Sequence, residues 1–173
     1  PNRGSWLDFE FDIKDILHFK IDRKRKLPIT TLLYAMSIKR HEILDLFYNH
    51  SQFEFKKNLG KWKTKFNPDN FKSGKLEEDL IDYKTSKTVL KSGTKLNSLI
   101  SNKLLTDGLK DIAVSNNFFI GKFLHQAIKS ETNEVIFDIG HEIDQSFLEK
   151  ISALNISTLK ITETDPINKG PYL

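Results

Sequence analysis

The stretch Arg3-Gly4-Ser5-Trp6-Leu7-Asp8-Phe9-Glu10-Phe11-Asp12, with the later Leu17-His18-Phe19-Lys20-Ile21-Asp22-Arg23-Lys24-Arg25-Lys26-Leu27-Pro28, decides how the chain is read. Leu7, Phe9, Phe11 and Ile13 alternate with Asp8, Glu10 and Asp12, the period-two pattern of a strand with one apolar face. Leu17, Phe19 and Ile21 alternate with His18, Lys20 and Asp22 in the same way. Residues 12–16 lie between the runs as a tight connection, so an antiparallel hairpin is predicted. With both apolar sides on one core, Leu7 faces Ile21, Phe9 faces Phe19 and Phe11 faces Leu17. A slip by one residue would send every apolar side chain into water, which fixes the register. That register sets Trp6 opposite Asp22, on the polar face and beside Arg23. A large aromatic on that face, next to a cationic run, is the most informative anomaly in the sequence.

The 173 residues suffice for one sizeable domain or two small ones, and 38% hydrophobic with 29% charged residues reads as a soluble, globular chain. No apolar run approaches the ~20 residues of a membrane span. There is no initiator Met and no signal-peptide pattern, so the chain reads as a piece of something longer. Without cysteine there is no disulfide framework and no Cys metal site, which suits a reducing compartment. The net charge of +4 is unevenly spread. Residues 1–40 hold nine Lys/Arg against five Asp/Glu, while residues 41–173 are balanced. All four arginines, Arg3, Arg23, Arg25 and Arg40, lie in the first segment. Arginine suits forked contact with phosphate and stacking on planar groups. Any nucleic-acid surface is therefore expected near the N-terminus. The plainer reading is a solvated strand end, and Trp6 weighs against it.

Downstream, Pro28 stands where a first helical turn should begin. Leu32, Leu33 and Met36, then Ile43, Leu44, Leu46 and Phe47, recur at helical spacing and are expected to pack a core. Phe53-Glu54-Phe55-Lys56-Lys57 and Lys61-Trp62-Lys63-Thr64-Lys65-Phe66 flank Asn58-Leu59-Gly60 as strand, turn and strand. Asn67-Pro68-Asp69-Asn70 and Ser73-Gly74-Lys75 are breaks. Short strands are predicted at residues 79–84 and 88–90, then a turn at Ser92-Gly93. Leu96, Leu99, Ile100 and Leu104 mark a helix ending near Asp107-Gly108, before a strand at 111–114. Residues 118–128 read as a long strand or a pair of strands, turned by Ser130-Glu131-Thr132-Asn133 and returning through Val135-Ile136-Phe137. Asp144 or Ser146 caps a helix carrying Phe147, Leu148, Ile151 and Leu154. Residues 158–162 form a last strand. The fold class is α+β.

Chemistry is sparse. Asp8, Glu10 and Asp12 line one strand face and could hold a divalent cation, though a polar face meeting water or cations explains them more simply. His18, His41, His50, His125 and His141 are scattered, without metal-ligand spacing. Gly4-Ser5-Trp6 is not a nucleophile elbow. Trp62 could stack on a base, but covering a small core is the simpler role. Lys61, Lys63 and Lys65 share a face and could touch phosphates, or simply solubilise it. No autonomous active site is predicted: no catalytic residue and no metal ligand.

Arg3-Gly4-Ser5-Trp6-Leu7-Asp8-Phe9-Glu10-Phe11-Asp12 and Ile21-Asp22-Arg23-Lys24-Arg25-Lys26-Leu27-Pro28, together with Glu42-Ile43-Leu44-Asp45-Leu46-Phe47, Ile120-Gly121-Lys122 and Gly170-Pro171-Tyr172, closely resemble the beta subunit of bacterial DNA-directed RNA polymerase. The resemblance is strongest in residues 1–48 and looser from Phe53 onward. It implies an antiparallel hairpin and helices of a partial lobe domain (1–50), a lineage-specific insertion module of short strands and helices (51–168), and a return to the lobe (169–173). It further implies a non-catalytic region of a nucleotidyltransferase complex, walling the downstream DNA channel and helping to hold the transcription bubble. Trp6 would stack on an unpaired non-template base, with Asp22 shaping the pocket. Arg23, Lys24, Arg25 and Lys26 would lie along DNA, with Arg3 nearby. Lys24 departs from the family's arginine and can hold a phosphate without the forked contact. The implied partners are DNA and the beta-prime, alpha, omega and sigma subunits, in the bacterial cytoplasm at the nucleoid and without a membrane. The resemblance implies no cofactor in this fragment; magnesium belongs to the active site on the partner subunit. A second reading, from another class, is a protein-interaction module in which the charge-balanced insertion docks transcription factors.

Overall fold

Alternation in the first ribbon gives the paired strands it demands. The computed structural model describes residues 3–14, 16–71, 75–130 and 132–164. Strands β1 (Leu7–Phe11) and β2 (Leu17–Ile21) are antiparallel, with Leu7 opposite Ile21, Phe9 opposite Phe19 and Phe11 opposite Leu17. Asp12 Oδ1 shapes the connection by accepting the N–H groups of Lys14 and Ile16 at 2.8 and 3.0 Å. A third strand, β3 (Lys26–Pro28), pairs with the other edge of β2. Three residues ending in proline give little strand signal. Proline is tolerated at an edge because a missing N–H there breaks no interior ladder.

The apolar face of this sheet corrects the expectation of a core on that side. Phe19 is buried, but Leu7, Phe9, Phe11 and Ile21 are exposed, Phe9 to 56%. The register is the expected one; among the described residues, no element of the chain lies over that face far enough to bury it.

Helices α1 (Ile29–Ala35) and α2 (Arg40–Phe47) follow. Pro28 is the N-cap of α1 rather than its first turn, one position earlier than the pattern suggests. Glu42 Oε2 accepts the Lys39 N–H at 2.6 Å and so satisfies a donor at the start of α2. Ile29, Ile43 and Leu44 are buried, whereas Met36, Leu46 and Phe47 are exposed, so these helices pack only one narrow side inward.

The rest of the chain is built on a six-stranded antiparallel sheet. Its elements in order are β4 (His50–Lys56), β5 (Lys61–Lys65), a 3₁₀ turn (Pro68–Phe71), β6 (Leu80–Asp82), β7 (Thr88–Leu90), α3 (Ser98–Thr106), β8 (Asp111–Val114), a 3₁₀ turn (Asn116–Phe119), β9 (Ile128–Lys129), β10 (Val135–Phe137), α4 (Gln145–Ala153) and β11 (Thr158–Thr162). The spatial order is β11-β4-β5-β8-β6-β7, and β9 and β10 form a separate ribbon. Asn97 Oδ1 caps α3 through the Ile100 N–H at 2.8 Å. Asp144 Oδ1, not Ser146, caps α4 through the Phe147 N–H at 2.7 Å, and the Ser146 hydroxyl donates to the same oxygen. Leu99 of α3 faces solvent.

The long strand or pair of strands expected at 118–128 is reduced to fragments. Only Ile128 and Lys129 enter a named strand, and Phe123 and Leu124 make isolated bridges. Phe118, Phe119 and Ile120 are apolar in succession, without the alternation of a one-faced strand. Ser115 Oγ accepts the Asn117 N–H at 3.1 Å and starts a 3₁₀ turn instead. The turn drives Phe119, fully buried, edge-on against Phe53 and Trp62, with centroids 4.9 and 5.4 Å away. Gly121 then takes φ +76°, a left-handed conformation that glycine adopts without strain.

One apolar cluster runs from Phe53 to Ile161, and the buried Phe19, Ile29, Ile43 and Leu44 lie outside it. The class is α+β, as expected. Among the described residues no helix is long and apolar enough to cross a membrane. The expected breaks at Ser73 and Gly74, the turn position Glu131 and the return at 169–173 with Gly170-Pro171-Tyr172 lie outside the described residues.

Candidate nucleic-acid interface

The turn from β2 to β3 is where the basic run sits. Asp22 and Arg23 take φ +50° and +58°, and the Lys24 N–H donates to the Ile21 carbonyl at 3.0 Å. Two successive positive φ values make the tight hairpin turn whose twist matches the flanking strands. Glycine or asparagine is usual there, and a branched-out Arg23 holds this conformation at a cost. Asp22 compensates locally. Its Oδ1 accepts the Trp6 N–H at 2.8 Å, and its own N–H donates to the Trp6 carbonyl at 2.9 Å. Both backbone groups of Trp6 are thereby fastened to the turn, while Trp6 itself is 56% exposed.

Arg3, Arg23, Lys24, Arg25 and Lys26 are all exposed at this end of the sheet. Among the described residues Arg23, Lys24 and Arg25 form no ion pair. Lys26 differs, with Nζ 3.6 Å from Glu10 Oε1, while Lys20 Nζ lies 2.8 Å from Glu10 Oε2. The hydrogen bond from Lys20, with the charges of Lys20 and Lys26, holds the Glu10 carboxyl below its ordinary pKa. The backbone N–H of Ile16, then that of Lys14, does the same for Asp12. Glu10 and Asp12 of the carboxylate row are therefore already engaged, the first by lysines and the second by backbone amides. What the arrangement offers is an anchored, outward tryptophan beside three unneutralised cations.

Trp62, the other tryptophan, is 3% exposed, and its Nε1–H donates to Asn116 Oδ1 at 2.8 Å. It packs the core and presents no stacking face. Lys63 on the same strand is paired with Asp111 at 3.2 Å.

Residues 1–94 match the family described as RNA polymerase Rpb2, domain 2, which is more than half of the chain. The chain belongs to this family. It is similar over its whole length to beta subunits of DNA-directed RNA polymerase. Identity is 40% over 174 residues with that of Rickettsia massiliae (strain Mtu5) and 40% over 174 with that of Rickettsia prowazekii (strain Madrid E). With that of Caulobacter sp. (strain K31) it is 38% over 176 residues. The chain spans about one eighth of the length of these relatives, 12% for the first.

The fold also assembles something the linear order hides. His50 at the start of β4, His125 before β9 and Asp45 in α2 bring one ligand atom each to within 4.8 Å of one another. His125 Nε2 is 2.8 Å from Asp45 Oδ1, its Nδ1 is 3.2 Å from Thr162 Oγ1, and its ring stacks on His50 with centroids 4.5 Å apart. The hydrogen bond from His125 holds the Asp45 carboxyl below its ordinary pKa. Burial, then the neighbouring His125, lowers that of His50. With 74 residues between the two histidines, no local motif announces the pair.

Proposed function

We propose that this chain is the DNA-contacting, non-catalytic lobe region of a DNA-directed RNA polymerase beta subunit, acting within a nucleotidyltransferase complex in the bacterial cytoplasm at the nucleoid. In this reading Trp6 stacks on an unpaired non-template base at the downstream fork. Asp22 sets the position of Trp6, Arg23, Lys24, Arg25 and Lys26 follow the phosphates, and Arg3 supports them. The contact helps to hold the transcription bubble. Residues 51–168 act as an inserted module, a division supported by the apolar cluster confined to Phe53–Ile161. The family match itself runs across residue 50 and ends at residue 94, inside that module. Beta-prime, alpha, omega and sigma would be the protein partners, and magnesium chemistry would belong to a partner subunit.

The observation that carries the reading is the exposed Trp6, bonded through its backbone to Asp22 beside the unpaired turn cations. Base stacking on an aromatic contributes about 1–3 kcal/mol, and each neutralised phosphate adds to a steep salt dependence. Binding of forked DNA by the 173-residue chain, followed by fluorescence anisotropy across a salt series, tests it. The chain should bind and lose affinity steeply with salt, and a variant lacking residues 1–48, with its Phe53–Ile161 core intact, should lose most of the binding. Equal binding by both would reject the N-terminal site.

A further inference from the structure

We propose that Asp45, His50 and His125 form a binding site for a divalent transition-metal ion of the zinc class. The inference is independent of the DNA reading and uses none of its residues. Two imidazoles and a carboxylate are the donor set such ions favour, leaving a fourth position for water. The three donors come from α2, the start of the next element β4, and the segment before β9, which the fold brings to the other two.

His125 is the fixed point of the site. It is 4% exposed, and its backbone N–H donates to the Lys160 carbonyl at 2.9 Å. Thr162, itself buried, meets its Nδ1 at 3.2 Å. A hydroxyl can donate or accept, so Thr162 supports either tautomer of the ring. Without metal, Nε2–H donates to Asp45 Oδ1. With metal, Nε2 gives up its proton and Nδ1 takes one up, exchanged through solvent with no net release, so that Nδ1–H donates to Thr162 Oγ1 and Nε2 turns its lone pair to the ion. A metal-ligating ring is held in one tautomer by an outer acceptor, usually a carboxylate, carbonyl or water, and here the Thr162 hydroxyl fills that place. The ion would thus take the place of the hydrogen now shared by His125 and Asp45.

The remaining two donors can move. Ligand atoms of a tetrahedral zinc site lie about 3.3 Å apart, against the 4.8 Å that encloses these three. Asp45 and His50 are exposed, so rotation of their side chains closes the difference, with His50 leaving its stack on His125 to present a ring nitrogen. Lys160 and Glu163 flank His50 with opposite sign, so the surroundings add no net charge against a cation.

Titration of the 173-residue chain with cobalt(II) chloride, followed by visible absorption, tests the site directly. The expected result is one saturable equivalent with the absorption of a four- or five-coordinate histidine-bound ion, displaced by one equivalent of zinc chloride. Asp45→Asn and His50→Gln change exposed side chains, and each should weaken binding by about tenfold or more while far-UV circular dichroism stays unchanged. An absence of saturable absorption overturns the site and leaves Asp45–His125 a structural latch. Binding of equal strength in both variants overturns it as well.

Discussion

Two regions of the molecule bury their apolar residues very differently. From Phe53 to Ile161 the side chains that alternate or recur at helical spacing close on one another, and Phe119 at the centre has no exposed surface. In the ribbon of β1 and β2 the same kind of alternation leaves Phe9, Leu7 and Phe11 open to solvent. Backbone pairing does not account for this: β1 and β2 pair without a break, while β6–β7 and β9–β10 in the larger region shift register. The difference teaches that periodicity fixes which side chains share a face, while burial depends on what lies over that face. It also leaves the ribbon, whose strands are held by paired hydrogen bonds, with a surface not consumed by packing.

Cutting at each region should break the comparison most plainly. Phe119→Ala should lower the unfolding free energy of the chain by about 3–5 kcal/mol. Phe9→Ala on the exposed face should change it by less than about 0.5 kcal/mol. Urea denaturation of both variants checks this, and similar losses would erase the distinction. Next in size, Trp6→Ala should weaken forked-DNA binding by about 1–3 kcal/mol with the denaturation midpoint unchanged. Unfolding by that substitution would instead make Trp6 a packing residue.

Smaller effects sharpen the contrast. Arg23→Gly relieves a positive φ and should stabilise the chain by about 1 kcal/mol, yet it removes a phosphate contact and should shallow the salt slope of DNA binding by about one. Stability and binding moving in opposite directions would mark the turn as held for its charge. Last, the Phe147 N–H and then the Ser146 hydroxyl depress the pKa of the Asp144 cap. A depressed carboxylate stabilises fully above its unfolded pKa, and that contribution is lost as pH falls through the folded value. Asp144→Ala should therefore destabilise the chain at neutral pH, with the difference from the parent shrinking in acid. A difference that stays constant with pH would refute the charged cap.

Much of this fold is legible in the sequence, for identifiable reasons. The register of β1 and β2 is, because one slip would invert every side chain. β7, β8 and β11 are, because turn residues and breaks bracket short apolar runs. β3 is not, since three residues with a proline carry almost no pattern. The run from Phe118 to Ile120 misleads, because consecutive apolar residues suit a buried turn as well as a strand. For the candidate DNA site, the pairing of Trp6 with Asp22 follows from register alone, whereas the left-handed turn at Asp22 and Arg23 has no glycine to advertise it. The cluster of Asp45, His50 and His125 lies outside any local reading, because only tertiary structure brings His125 to the nearby Asp45 and His50.

The most direct test of Trp6 as a base-stacking side chain is its own emission. The difference in fluorescence between the chain and its Trp6→Phe variant isolates Trp6 from the buried Trp62. Forked DNA with an unpaired base should quench that difference saturably, at the same midpoint as anisotropy reports for binding. If anisotropy reports binding while the Trp6 emission stays unchanged, the indole does not meet a base, and the account of this surface is wrong.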